Sequence, residues 1–308
     1  MPRCSIAILL SMALCLPMLS STFAAAEETE DLDLNQDVEV TNQGEYQIAV
    51  EKTAQMESHG TEAQEDGMTP IEEYKEEFDK RAAMPSEILS GMGYSEEEIA
   101  ILESYRKGEI PFETAAIATE AALASSLVCT THSSDRYIVQ YTWEWDKTPL
   151  GLGEDSFSMG LYGINASSVG IVTKLNSASL TVRYYYTDGT YYKIEAPSKT
   201  TSANSVSASF DSYKQDSTGS RWVWAKKGTL IMNISPAVNG VALAAVRAAG
   251  EYGHSDKRTA TVNVSVSVNM LTGTITMSYS VAPSSASVKI HGRKQYIFYN
   301  DGTVHVES

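Results

Sequence analysis

The chain has 308 residues, a formal net charge of −16 and a mean hydropathy of −0.20. The acid is unevenly shared: residues 27–120 carry 26 Asp and Glu against 6 Lys and Arg, whereas residues 121–308 carry 13 against 16. Two segments of different character are implied, and electrostatic attraction of the acidic half to nucleic acid or anionic lipid is excluded.

Residues 1–26 read as a secretory signal peptide. Arg3 gives a short basic start, Ile6 to Leu16 an apolar run too short to span a membrane, and Pro17 a break. Ala24, Ala25 and Ala26 supply the small residues of a cleavage site. Leu14 stands before Cys15, where lipidation needs a small residue. A secreted protein, released or held non-covalently at the cell surface, is therefore expected. Cys4 and Cys15 leave with the leader, so Cys129 has no intramolecular partner and the fold rests on its hydrophobic core. A disulfide-free secreted chain points to a bacterial source, in which the sequons at Asn165, Asn233 and Asn263 are accidental. In a eukaryotic source they become glycosylation sites.

Residues 27–68 hold few large apolar side chains and no sustained period, the composition of an acidic disordered segment. Asp31, Asp33, Asn35 and Asp37 alternate like a calcium loop. However, Gln36 stands where the turn needs glycine and Asn42 where a bidentate Glu is needed. A small helical region is expected over 69–127. Thr69-Pro70-Ile71-Glu72 forms a capping box, and Ile71, Tyr74 and Phe78 then share one face. A second helix starts at Ser95, with Glu98 three residues on, and stops at Gly108. A third, Ala-rich helix is expected from Pro111 to Leu127. Met92-Gly93-Tyr94 resembles the signature loop of ubiquitin-associated domains, though a small helical hairpin accounts for the same residues.

The remainder, 128–308, is rich in Ser, Thr, Val and Tyr with period-two alternation. Strands are expected near 136–146, 156–165, 168–175, 178–187, 190–196, 204–212, 220–226, 229–235, 241–249, 259–269, 274–281, 287–299 and 303–307. The fold class is mainly β, an antiparallel β-sandwich or barrel preceded by the small helical, acidic N-terminal region. Asp188-Gly189 predicts a two-residue type I′ hairpin that pairs Tyr186 with Tyr191 and Tyr185 with Tyr192. Asn300-Asp301-Gly302-Thr303 is a second hairpin signal.

Aromatic residues are the candidate binding groups, since rigid rings give contact area at low entropic cost. Tyr185, Tyr186, Tyr191 and Tyr192 come first, because the two pairs lie on opposite faces and one must be outward. Trp143 with Trp145, and Trp222 with Trp224, follow, although core packing is the competing role for each pair. The leading function is non-catalytic binding of a cell-envelope glycan or protein, with no nucleic-acid partner and no cofactor or metal.

Two alternatives stand beside it. Thr259 to Val288 holds no charged residue. Val262, Val264, Val266 and Val268 alternate with Asn263, Ser265, Ser267 and Asn269, and the returning strand does the same. The pattern resembles the insertion hairpins of aerolysin-type pore-forming toxins and implies a membrane partner, but a half-buried sandwich hairpin gives the same string. Glycan hydrolysis would need two of Glu144, Asp146, Glu154 and Asp155 to converge across a cleft. No nucleophile elbow, zinc-helix motif or phosphate loop is present, and Cys129, His132 and Asp135 lack the usual arrangement of a Cys-His nucleophile. Tyr141-Thr-Trp143-Glu-Trp145 with Pro149, and Gly250-Glu-Tyr252-Gly-His254, resemble stretches of uncharacterised secreted proteins of Gram-positive bacteria, a likeness that implies no activity.

Overall fold

The computed structural model describes residues 70–307, apart from 152, 256, 258, 284 and 285. The expected signal peptide, the acidic segment with its calcium-like alternation, and Thr69 of the first capping box lie outside the described residues. Among the described residues four short helices precede the strands: α1 (Pro70–Ala82), α2 (Ser86–Gly91), α3 (Glu96–Arg106) and α4 (Phe112–Ala118). Ser95 closes the start of α3 as its sequence predicts: its hydroxyl accepts from the Glu98 N–H, and the Glu98 carboxylate accepts from the Ser95 N–H at 2.8 Å. Phe78, Leu89, Met92, Tyr94, Ile99, Leu102 and Ala115 form the helical core.

The Ala-rich helix, α4, is shorter than its sequence suggests. It ends at Thr119, whose hydroxyl donates to the Ala115 carbonyl, and by Leu123 the chain is already paired with Trp145. Pairing with β2 and the packing of Leu123 and Leu127 against the sandwich core outweigh helix propensities of a few tenths of a kcal/mol per residue.

Fifteen strands follow: β1 (Leu123–His132), β2 (Tyr137–Trp145), β3 (Glu154–Ile164), β4 (Gly170–Ile171), β5 (Thr173–Tyr186), β6 (Tyr191–Glu195), β7 (Lys199–Thr201), β8 (Ser205–Asp211), β9 (Tyr213–Gln215), β10 (Trp222–Pro236), β11 (Ala245–Ser255), β12 (Thr261–Val268), β13 (Ile275–Ala282), β14 (Val288–Tyr299) and β15 (Val304–Val306). All pairings are antiparallel. One sheet runs β1-β2-β10-β5-β6 with β9 beside β10, and the other runs β15-β14-β11-β3-β8-β7 with β4 beside β3. The result is an open sandwich, not a closed barrel.

Two pairs of expected strands are single long ones. Gly228 does not break β10 into 220–226 and 229–235. It makes room instead, because a Cβ there would stand 2.6 Å from the Trp143 indole. Likewise β5 runs from Thr173 to Tyr186 through a bulge near Asn176, across the gap between the expected strands 168–175 and 178–187.

The inner faces meet in one core. Trp143 stacks on Phe210 at 5.7 Å and 13°, and tilts against Tyr252 at 4.6 Å. Leu180, Val182 and Tyr184 of β5 and Leu230, Met232 and Ile234 of β10 complete it.

The uncharged hairpin β12-β13 is a third layer against β3 and β8. Val262 and Ile275 are buried, and Val266, Val268 and Met277 pack beside Tyr162 and Ala249. The facing sheet is trimmed to admit them: a Cβ on Gly160 would lie 2.6 Å from Ile275 Cγ2. The edge of β12 is held by side chains. Ser207 and Ser209 donate to the Val264 and Val262 carbonyls, at 3.2 and 2.5 Å, and Glu154 accepts from the Val262 N–H at 2.8 Å. The apolar face is thus half-buried, as sandwich packing requires.

Candidate functional site

The tyrosine hairpin turns differently from its sequence signal. A type I′ turn needs a positive φ at both central residues. Among the described residues Ser168 is the only non-glycine with one, so Asp188 is not in that conformation. Instead Gly189, at φ +82, ends a three-residue loop: Gly189 N–H donates to the Tyr186 carbonyl and Tyr186 N–H to Thr190. The 299–303 hairpin repeats this, with Gly302 at φ +87 and Tyr299 N–H donating to Thr303. The expected pairing is therefore corrected by one position. Tyr185 faces Tyr191, and Tyr192 is the extra residue of a bulge. The end of α2 braces the tip, since a Cβ on Gly91 would stand 2.6 Å from Asp188 Cα.

This register builds an aromatic row. Tyr191 opposes Tyr185, Tyr185 opposes Trp224, and Trp224 opposes Tyr213. The row crosses β6, β5, β10 and β9 over about 14 Å, three strand spacings. Val182 and Tyr184 point into the core, so Tyr185 points out of the sandwich. Its ring meets Tyr191 edge-on at 5.7 Å, and Tyr191 is 53% exposed. At the other end Trp222, 37% exposed, lies flat on Tyr213 at 4.8 Å and 2°. The outward tyrosine pair is therefore 185 with 191.

Tyr186 and Tyr192 meet each other at 5.2 Å and are committed to the 216–221 loop. The Tyr186 hydroxyl donates to Asp216, the Ser217 N–H donates to the Tyr192 hydroxyl at 2.9 Å, and the Arg221 guanidinium sits 3.7 Å from the centre of the Tyr186 ring.

The tryptophans require a correction. Trp143, Trp145 and Trp224 are almost wholly buried and cannot stack on a ligand. Their strands put them against the opposite sheet or between neighbouring rings, where their area is worth most. Only Trp222 of the four is a surface group. Sequence reasoning missed Tyr213, whose place depends on β9, a three-residue strand without a pattern of its own.

The four carboxylates proposed for hydrolysis are each engaged separately. Glu144 pairs with Lys227 at 3.5 Å, Asp146 accepts from the Ala122 and Lys147 N–H groups, and Glu154 accepts from Val262. Asp155 is buried, accepting from the Tyr252 hydroxyl, the Ser255 N–H and His254. His254 is held on both sides, by Asp155 through Nδ1 and by the Leu150 carbonyl through Nε2. Burial opposes its charge, but these two acceptors outweigh it and raise its pKa. Cys129 is half-buried, and burial pushes its thiol up to about 11, away from reactivity. Among the described residues no group of His, Cys, Asp and Glu is placed to hold a metal, and no helix is long and apolar enough to cross a membrane.

No family model and no curated protein matches the chain. Among solved structures, it is similar to the collagen-binding subdomain of the Enterococcus faecalis surface protein ACE, at 10% identity and a TM-score of 0.25. That match covers 51% of this chain and 92% of the other. A collagen-binding domain from a Staphylococcus aureus adhesin matches at 7% identity and 0.24, covering 52% and 95%. AvmM, which catalyses macrocyclization in alchivemycin A biosynthesis, matches at 4% and 0.25, covering 52% and 86%. These likenesses are distant, and the functional reading rests on the residues above.

Proposed function

We propose that the chain is an exported, non-catalytic binding protein that holds an extracellular ligand against the outer face of the β6-β5-β10-β9 sheet. The observation that carries this is the in-register aromatic row, with Tyr191 and Tyr185 outward at one end and Trp222 on Tyr213 at the other. Rigid rings on a braced sheet lose little entropy on binding, and such rings dominate interface energies. The partner is a cell-surface glycan or protein.

The test is capture on a glycan array and from cell-envelope extracts, comparing the wild type with Tyr185→Ala/Tyr191→Ala and with Trp222→Ala. Each exposed ring that contacts the ligand should cost about 2 kcal/mol or more when truncated. Undiminished capture by both variants, with unchanged melting temperature, removes the row as the binding surface.

A further inference from the structure

We propose that this face selects an anionic polysaccharide, an inference that rests on the aromatic row being the ligand platform. Beside the row lies a concentration of positive charge, two members of which have no ion-pair partner among the described residues. Arg183 stands two residues before Tyr185 on the same outward face of β5 and is exposed. Directly opposite it on β10 is Lys227. Like charges facing each other across a ladder destabilise a sheet, so nothing in the fold favours this pairing. The bulge between Ala225 and Lys227 adds Lys226, whose Nζ lies 5.7 Å from the centre of the Tyr185 ring.

Other cations around this hairpin have carboxylates. Lys193 has Glu195 at 2.7 Å, Lys214 shares the same Glu195, and Arg221 has Asp188 at 2.5 Å. Lys227 reaches Glu144 at 3.5 Å. Arg183 and Lys226 have no ion-pair partner among the described residues. Unpaired cations flanking outward tyrosines, in a chain of net charge −16, form a two-part receptor. The guanidinium fork of Arg183 takes a carboxylate or sulfate bidentately, Lys226 supplies a second charge, and Tyr185 and Tyr191 receive the flat faces of sugar rings. Ile194, exposed opposite Arg183 on β6, extends the apolar part of this floor.

The full chain is titrated against polygalacturonate and its fully methyl-esterified form, and against dextran sulfate and neutral dextran. Each pair shares a backbone and differs in charge. Wild-type protein should bind the charged member more tightly, with the advantage shrinking as salt rises. Arg183→Gln or Lys226→Gln should weaken the charged polymers by about tenfold, the worth of one charge-assisted hydrogen bond, and leave neutral binding unchanged. Both substitutions lie on exposed or half-exposed positions, and an unchanged melting curve checks the fold. Equal affinity within each pair, or indifference to both substitutions, overturns charge selection while the aromatic row stands. Undiminished binding by Tyr185→Ala/Tyr191→Ala overturns the row itself. A single-stranded oligonucleotide bound as tightly as the charged polymers, or no binding to any charged polymer, also overturns the proposal.

Discussion

Asp155 and His254 meet at 2.9 Å in the interior, the carboxylate facing Nδ1 while Nε2 stands 2.6 Å from the Leu150 carbonyl. Both ring nitrogens face oxygen atoms, an arrangement that favours the doubly protonated imidazole and raises its pKa. Through Leu150 the pair fixes the β2–β3 connection, against which the helices dock.

Replacing His254 with Asn leaves the Asp155 charge without its counterion and should cost about 3–5 kcal/mol. The folded pKa of His254 is raised, so its stabilisation is complete below the ordinary histidine value of about 6.5 and fades as pH rises through the folded value. The gap in melting temperature between wild type and His254→Asn should therefore be widest near pH 6 and narrow toward alkaline pH. A gap that widens with pH contradicts this.

His291 works in the opposite sense. Burial, then the His254 and Lys289 charges, push it down to about 3, and its shielded Nε2 has no hydrogen-bond partner. The unfolded chain takes up this proton at about 6.5 and the folded protein only near 3, so stability is full above 6.5 and falls as pH drops between those values. In urea unfolding series from pH 7 to about 4, His291→Asn should flatten the acid limb by close to one proton. An identical slope would mean that His291 is already protonated in the fold.

Gly160→Val should unseat the third layer. The new Cβ would stand 2.6 Å from Ile275 Cγ2 and 3.0 Å from Val266 Cγ1. Overpacking of this kind costs about 1–3 kcal/mol. Limited proteolysis should find new cleavage between 259 and 288 while the two-sheet body resists. Wild-type protection in that span would show that the hairpin shifts without loosening.

Arg81 is buried and donates to the Tyr94 hydroxyl at 2.8 Å and to the Thr148 and Pro149 carbonyls at 2.9 and 3.3 Å. Arg81→Lys keeps the charge but loses the fork, and at least one acceptor goes unmatched, at about 1–3 kcal/mol. Hydrogen exchange should speed up across α1 and α2 before it does in the β core. Uniform change through the whole chain would contradict a local staple.

Much of the fold was legible because alternation is a local signal. The Val262–Val268 run and its return paired as β12 and β13, and Ser95 with Glu98 marked the start of α3. Register was not legible. Tyr185 meets Tyr191 because Gly189 closes a three-residue loop and Tyr192 bulges, and both Asp-Gly turn types share one dipeptide. Gly228 read as an interruption because the Trp143 ring above it belongs to another strand. The alanines before Leu123 signalled helix, and only the distant β2 turned them toward a strand. The aromatic row needed both bulges and the short β9, none of which periodicity reveals.

The seating of β12 on Ser207, Ser209 and Glu154 has a consequence for how the molecule opens. Main-chain ladders knit each sheet of the body together, whereas β12-β13 joins it mainly through side chains: the Ser207, Ser209 and Tyr162 hydroxyls, the Glu154 carboxylate, the Arg247 guanidinium on the Gly273 carbonyl, and apolar contact. A layer joined in this way is expected to open at a lower free energy than the ladders of the sandwich. The hairpin thus lays an apolar underside on a floor formed by Gly160, Ser207, Ser209, Tyr162 and Ala249 on the flank of the sandwich.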